Sequence, residues 1–136
     1  MSRESSLHVS LVEAAVAVIK RRHQDLYSLT IYMDLPSAGR DRPTLIGGYV
    51  PDIFAIDTPE TCRIIGEAKT APDCETPHSR LQFVAFLSHL SHFPNGLFYL
   101  SVPWFYRVRA QTLIEAAAQA AGASSVKLQV IGAREC

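Results

Sequence analysis

Neither sign of charge is in excess here. Lys and Arg number 13 and Asp and Glu number 13, so no global positive field advertises a nucleic-acid partner. Cysteine is scarce: Cys62, Cys74 and Cys136 are an odd number without metal-ligand spacing. With a start that lacks the basic-then-apolar pattern of a signal peptide, this makes a reducing, cytoplasmic setting the expectation. No apolar run approaches the ~20 residues that a membrane span needs, so no membrane partner is expected. There is no repeat, low-complexity segment or linker long enough to divide domains, and residues 1–136 read as one domain. What is present is apolar content of 48%, which lets a domain of this length bury roughly two-thirds of its unfolded surface.

The chain is organised around residues 47–70. Gly-Gly-Tyr-Val-Pro-Asp-Ile-Phe-Ala-Ile is followed by a polar turn over 57–61 and then by Cys-Arg-Ile-Ile-Gly-Glu-Ala-Lys-Thr. Two β-rich runs around a short polar linker predict a hairpin. Side chains two apart on a strand share a face, so Glu67 and Lys69 project together. If the residue numbers of paired residues sum to 119, Asp52 faces Glu67, and opposed Cβ atoms lie ~4.5–5.5 Å apart. Hard cations such as Mg²⁺ are held by one or two carboxylates plus waters and phosphates, which Asp52 and Glu67 can supply. Lys69 beside them would orient an attacking water or offset charge building on a phosphate. A bare Glu-x-Lys also arises as solvated rungs of a surface hairpin. Here Ile64, Ile65, Gly66 and Ala68 bury the strand, and ionic groups at its end are costly without partners.

Gly48-x-x-Pro51-Asp52, 14 intervening residues and Glu67-x-Lys69 resemble the signature of the PD-(D/E)xK nuclease superfamily. That superfamily includes restriction endonucleases, archaeal Holliday-junction resolvases and RecB-type exonuclease domains. The resemblance implies Mg²⁺ or Mn²⁺ bound by Asp52, Glu67 and the Ala68 carbonyl, with Lys69 assisting the attacking water. It further implies DNA as partner and a Glu on the first helix, which would be Glu13. RecB-like members add Gln-x-x-x-Tyr on the following helix; this chain keeps Gln82 and has Phe86 in place of the Tyr.

The rest of the chain reads in order. A helix is expected over 6–22, apolar almost all round, with Glu13 either meeting a cation or lying at an exposed margin. A strand over 27–35 precedes a turn-rich loop bearing Arg40 and Arg42, read as solvated or as substrate-phosphate contacts. Gly47 and Gly48 suggest a bulge or a close backbone approach, and Pro51 a bend that frees Asp52. Residues 71–77 read as a loop, with Thr76 capping a helix whose first residue is Pro77. That helix runs over about 78–92, with Arg80 and Gln82 in reach of substrate; His89-x-x-His92 reads as helix surface rather than metal ligands. A strand over 97–102, a helix over 107–121 and a strand over 126–131 imply a parallel crossover. The fold class is α/β, a central mixed β-sheet flanked by helices in the order αβββαβαβ, which matches the restriction endonuclease-like core that the resemblance implies.

Trp104-Phe105-Tyr106 is open to three readings: core edge, a stacking surface for bases, or a subunit interface. The interface is preferred, because small resolvase-like members pair into homodimers. Two functions follow. One is a metal-dependent deoxyribonuclease using Asp52, Glu67 and Lys69, supported by Glu13 and Gln82. The other is a non-catalytic interaction or assembly subunit of the same fold, favoured by neutral charge and small size.

Overall fold

A computed structural model describes residues 5–26, 28–39 and 41–134; the expectations placed on Tyr27, Arg40 and Cys136 lie outside them. Helix α1 spans Ser6–Arg22. It starts where the Ser5 hydroxyl accepts the His8 N–H at 3.0 Å and ends in Lys20, Arg21 and Arg22, whose charge complements the helix dipole. Its buried stripe is Leu11, Val12, Ala15, Val16 and Ile19.

Three strands follow, β1 (Thr30–Met33), β2 (Ile53–Ile56) and β3 (Arg63–Ala68). Strand β1 is shorter than the run of β-formers suggested. The β2–β3 register pairs Ile53 with Gly66 and Phe54 with Ile65, the expected sum of 119. The connecting turn is fixed by Asp57, whose carboxylate accepts the Cys62 N–H at 2.9 Å and the Thr61 hydroxyl. Those bonds, the Thr61 hydroxyl foremost, hold the Asp57 carboxyl below its ordinary range.

Gly47 and Gly48 form no strand bulge. They are the centre of a tight turn between bridged Ile46 and Tyr49, with φ of 59° and 90°, angles that glycine adopts without steric cost. The close approach is real: a Cβ on Gly47 would stand 3.0 Å from that of Ala85. The segment 71–77 is more than a loop, since Ala71–Cys74 form a one-turn helix, α2, capped by Thr70. Helix α3, Pro77–Leu90, is capped by Thr76, which accepts the Ser79 N–H at 3.1 Å.

Strand β4 (Gly96–Pro103) leads through a 3-10 turn, Trp104–Tyr106, into α4 (Arg107–Ala120) and β5 (Lys127–Ala133). The sheet order is β1-β2-β3-β4-β5, antiparallel through β3 and parallel from β3 to β5. Helix α1 covers one face with Ile53, Ala55, Ile64 and Tyr99, while α3 and α4 cover the other with Phe54, Ile65, Phe98 and Leu100. The result is an α/β structure with a five-stranded mixed sheet flanked by helices. Because β3, β4 and β5 run the same way, their C-terminal ends share one edge of the layered structure with the start of β2. Among the described residues no helix is long and apolar enough to cross a membrane.

Candidate active site

At that shared end the chain bends at Pro51-Asp52, just before β2 begins. The bend is held from outside: the Asp34 N–H donates to the Asp52 carbonyl at 2.8 Å. The Ile46–Tyr49 turn packs on α3, with the Tyr49 ring edge-on to Phe86 at 6.3 Å. Asp52 and Glu67 are then tied together through backbone N–H groups. The Asp52 N–H donates to Glu67 Oε1 at 2.9 Å, and the Ala68 N–H donates to Asp52 Oδ2 at 2.8 Å. Each carboxylate thus keeps one oxygen outside these backbone bonds. Glu67 Oε2 lies 3.7 Å from Lys69 Nζ, and Asp52 Oδ1 lies 3.3 Å from His8 Nε2.

Glu67 is only 2% exposed, which rules out a solvated rung. Burial, and then the neighbouring Asp52 charge, push its carboxyl well above the ordinary range, against the opposing pull of Lys69 and the Asp52 N–H. Lys69 continues the strand, its N–H donating to the Ser101 carbonyl at 3.0 Å. Its ammonium donates to Gln82 Oε1 on α3, so the amide fixes where the charge stands.

Asp52, Glu67, Lys69 and Gln82 therefore come together as the sequence suggests. Glu13 does not join them by any hydrogen bond or ion pair found among the described residues. It is exposed and borders a surface depression with Val16, Ala17, Lys20 and Met33. The first-helix residue that reaches Asp52 is His8, and five residues at 100° each turn Glu13 about 140° away from it. Arg80 is exposed beside a small cleft between α3 and α4 with Phe83, Val84 and Leu113; two residues along a helix place it about 200° from Gln82. Arg42 pairs with Asp34 at 3.2 Å and donates to the Gly39 carbonyl at 3.0 Å, which sets it one strand away from Asp52. Phe86 is fully buried and packs in the core. His89 stands 3.2 Å from Arg63 and His92 bonds the Ser88 carbonyl at 2.8 Å, so these histidines serve local structure.

No family model, curated protein or solved structure matches this chain. Its chemistry must be argued from the cluster itself. Among the described residues no three or more His, Cys, Asp or Glu side chains are arranged to hold a metal; the Asp52–Glu67 pair offers two carboxylates. Two carboxylates with water and carbonyl oxygens are what Mg²⁺ takes. The mutual repulsion of Asp52 and buried Glu67 is the strain that a divalent cation would relieve, so the residues present fit such an ion.

Proposed function

We propose that this chain is a divalent-metal-dependent nuclease of the PD-(D/E)xK type, with a restriction endonuclease-like fold, that hydrolyses DNA phosphodiester bonds. The observation that carries the reading is that Glu67 accepts the Asp52 N–H and Asp52 accepts the Ala68 N–H, which fixes the two carboxylates beside Lys69. Two carboxylates, one of them buried, and an ammonium at a sheet end are costly to fold, and no packing need explains them. Bound Mg²⁺ or Mn²⁺ would neutralise charge at the scissile phosphate and make an attacking water more acidic.

The protein's own groups do the rest. Asp52 and Glu67 would hold the cation, with the Ala68 carbonyl between Glu67 and Lys69 as a further donor. Lys69 donates to the attacking water or to the phosphate oxygens as negative charge builds there. Gln82 holds the Lys69 ammonium in place, and His8 steadies Asp52. The backbone bonds that lock the two carboxylates hold this geometry before substrate arrives, which is the condition for electrostatic stabilisation to act without reorganisation.

The expected result is cleavage of at least one member of a panel of labelled DNA duplexes, single strands and junctions, with Mg²⁺ or Mn²⁺ and not with chelator. A protein that binds such DNA and cuts none of it with either metal would instead be the non-catalytic assembly subunit.

A further inference from the structure

We infer that Trp104 and Phe105 form a stacking platform for unpaired nucleobases, which makes single-stranded DNA, or a frayed or flapped end, the substrate class; this rests on the nuclease reading for the phosphodiester chemistry only. Both rings are left uncovered by the fold. Trp104 is 59% and Phe105 67% exposed, while Tyr106 packs against the core and donates its hydroxyl to Glu75. The two exposed rings meet edge to face, centroids 6.1 Å apart at 90°, so the pair is self-supporting and keeps ring surface turned outward. Core edge therefore describes Tyr106 alone.

Position ties the pair to the candidate active site. Ser101 pairs with Ala68 across β3 and β4, and Trp104 follows three residues later. At ~3.3 Å per residue it stands about 10 Å beyond the level of Ala68, at the same end of the sheet as Glu67 and Lys69. That is the span of one or two nucleotides along an extended strand.

Charge complementarity favours a nucleic-acid strand on the pair, because two arginines stand beside it. Arg107 is exposed beside the rings, with its stem and the Trp104 Cα both 3.2 Å from where a Cβ on Gly132 would be. Arg134 is exposed just past the end of β5, which runs parallel to β4. Two arginines flanking exposed rings suit a phosphodiester strand with unstacked bases, the guanidinium groups meeting phosphates and the rings meeting bases. Bases attached to a strand held here would stack while the adjoining phosphate reaches Lys69.

The test separates binding from cleavage. Trp104 is the only tryptophan, so its emission reports this site alone. In chelator, labelled oligo-dT should quench wild-type emission, and a blunt duplex of equal length should not. By anisotropy, Trp104→Ala and Phe105→Ala should each weaken oligo-dT binding about 10-fold or more, and Trp104→Phe should restore most of it. Circular dichroism melts confirm that the variants are folded. Equal affinity of wild type and both Ala variants for oligo-dT overturns the platform, as does equal quenching by duplex. A dimer in sedimentation that Trp104→Ala converts to monomer also overturns it, in favour of a subunit interface. Quenching and selective binding without cleavage of any DNA by wild type would remove the nuclease reading and leave the platform standing.

Discussion

Replacing Lys69 by Ala or by Arg will leave Mn²⁺ binding in place and lower single-turnover cleavage about 10²–10³-fold, the loss of a transition-state interaction of ~3–4 kcal/mol. The Ala result follows from removing the cation that stands 3.7 Å from Glu67 and is fixed by Gln82. The Arg result is the more informative. A guanidinium is wider, is planar and exchanges no proton with water, and the space between Glu67 and the Gln82 amide is matched to a single ammonium. If Lys69 only attracts phosphate, Arg will restore cleavage and Ala will weaken DNA binding in a salt-dependent way. Rates at saturating Mg²⁺ for the three proteins separate these outcomes. Near-wild-type cleavage by the Ala variant would remove Lys69 from the chemistry.

The second large effect is a gain. Glu67→Gln should raise the melting temperature of the metal-free protein by roughly 3–6 °C near neutral pH, the shift that ~1 kcal/mol gives at this size, while abolishing cleavage. The Gln oxygen can still accept the Asp52 N–H, but the carboxyl that folding obliges to hold a proton is gone. The sign follows from linkage. With its carboxyl raised by burial and by Asp52, folded Glu67 keeps a proton that the unfolded chain has already released. The folded state therefore binds more protons above the ordinary carboxylate range, and stability falls as pH rises through that window. Wild type should show this decline and the Gln variant should lack it. Adding Mn²⁺ should stabilise wild type and leave Glu67→Gln unchanged. A melting temperature for the Gln variant at or below that of wild type would contradict the account of Glu67 as a strained, functional carboxylate.

Much of this site was legible in the sequence because short-range rules suffice for it. The period of a strand places Glu67 and Lys69 on one face, and a two-strand register follows from one number, which β2 and β3 obey from Ile53–Gly66 to Ile56–Arg63. Helix α1 occupies Ser6–Arg22, the range expected from its apolar pattern. The chain does bend at Pro51-Asp52, but Asp52 is held there rather than freed, by bonds to its N–H, its carbonyl and its carboxylate.

What was missed is mostly tertiary. His8 carries no local sign of its role, because its contact with Asp52 depends on α1 crossing the sheet with its N-terminus at the C-terminal end of β3. Glu13 was suggested by the resemblance, with an exposed margin as the open alternative, and the rotation of the helix leaves it exposed. Arg80 was near Lys69 in the chain, but the turn of α3 that brings Gln82 inward carries Arg80 to the α3–α4 side. Two other misses had signals. The Gly47-Gly48 dipeptide is a turn signature, outweighed by the β-formers around it. Thr70 followed by Pro72 repeats the cap chemistry of Thr76-Pro77, but the helix it starts lasts only from Ala71 to Cys74, too short for any periodicity.

Calorimetric titration of the metal-free protein with Mn²⁺, for wild type and for Asp52→Asn, is the most direct test of the central claim that Asp52 and Glu67 form a cation site. Asn keeps the size of the side chain and an oxygen that can accept the Ala68 N–H, so the fold should persist. The account predicts saturable binding of Mn²⁺ by wild type, and binding weakened at least 10-fold or lost in the variant. Equal affinity in the two proteins, or no binding by wild type, would contradict it.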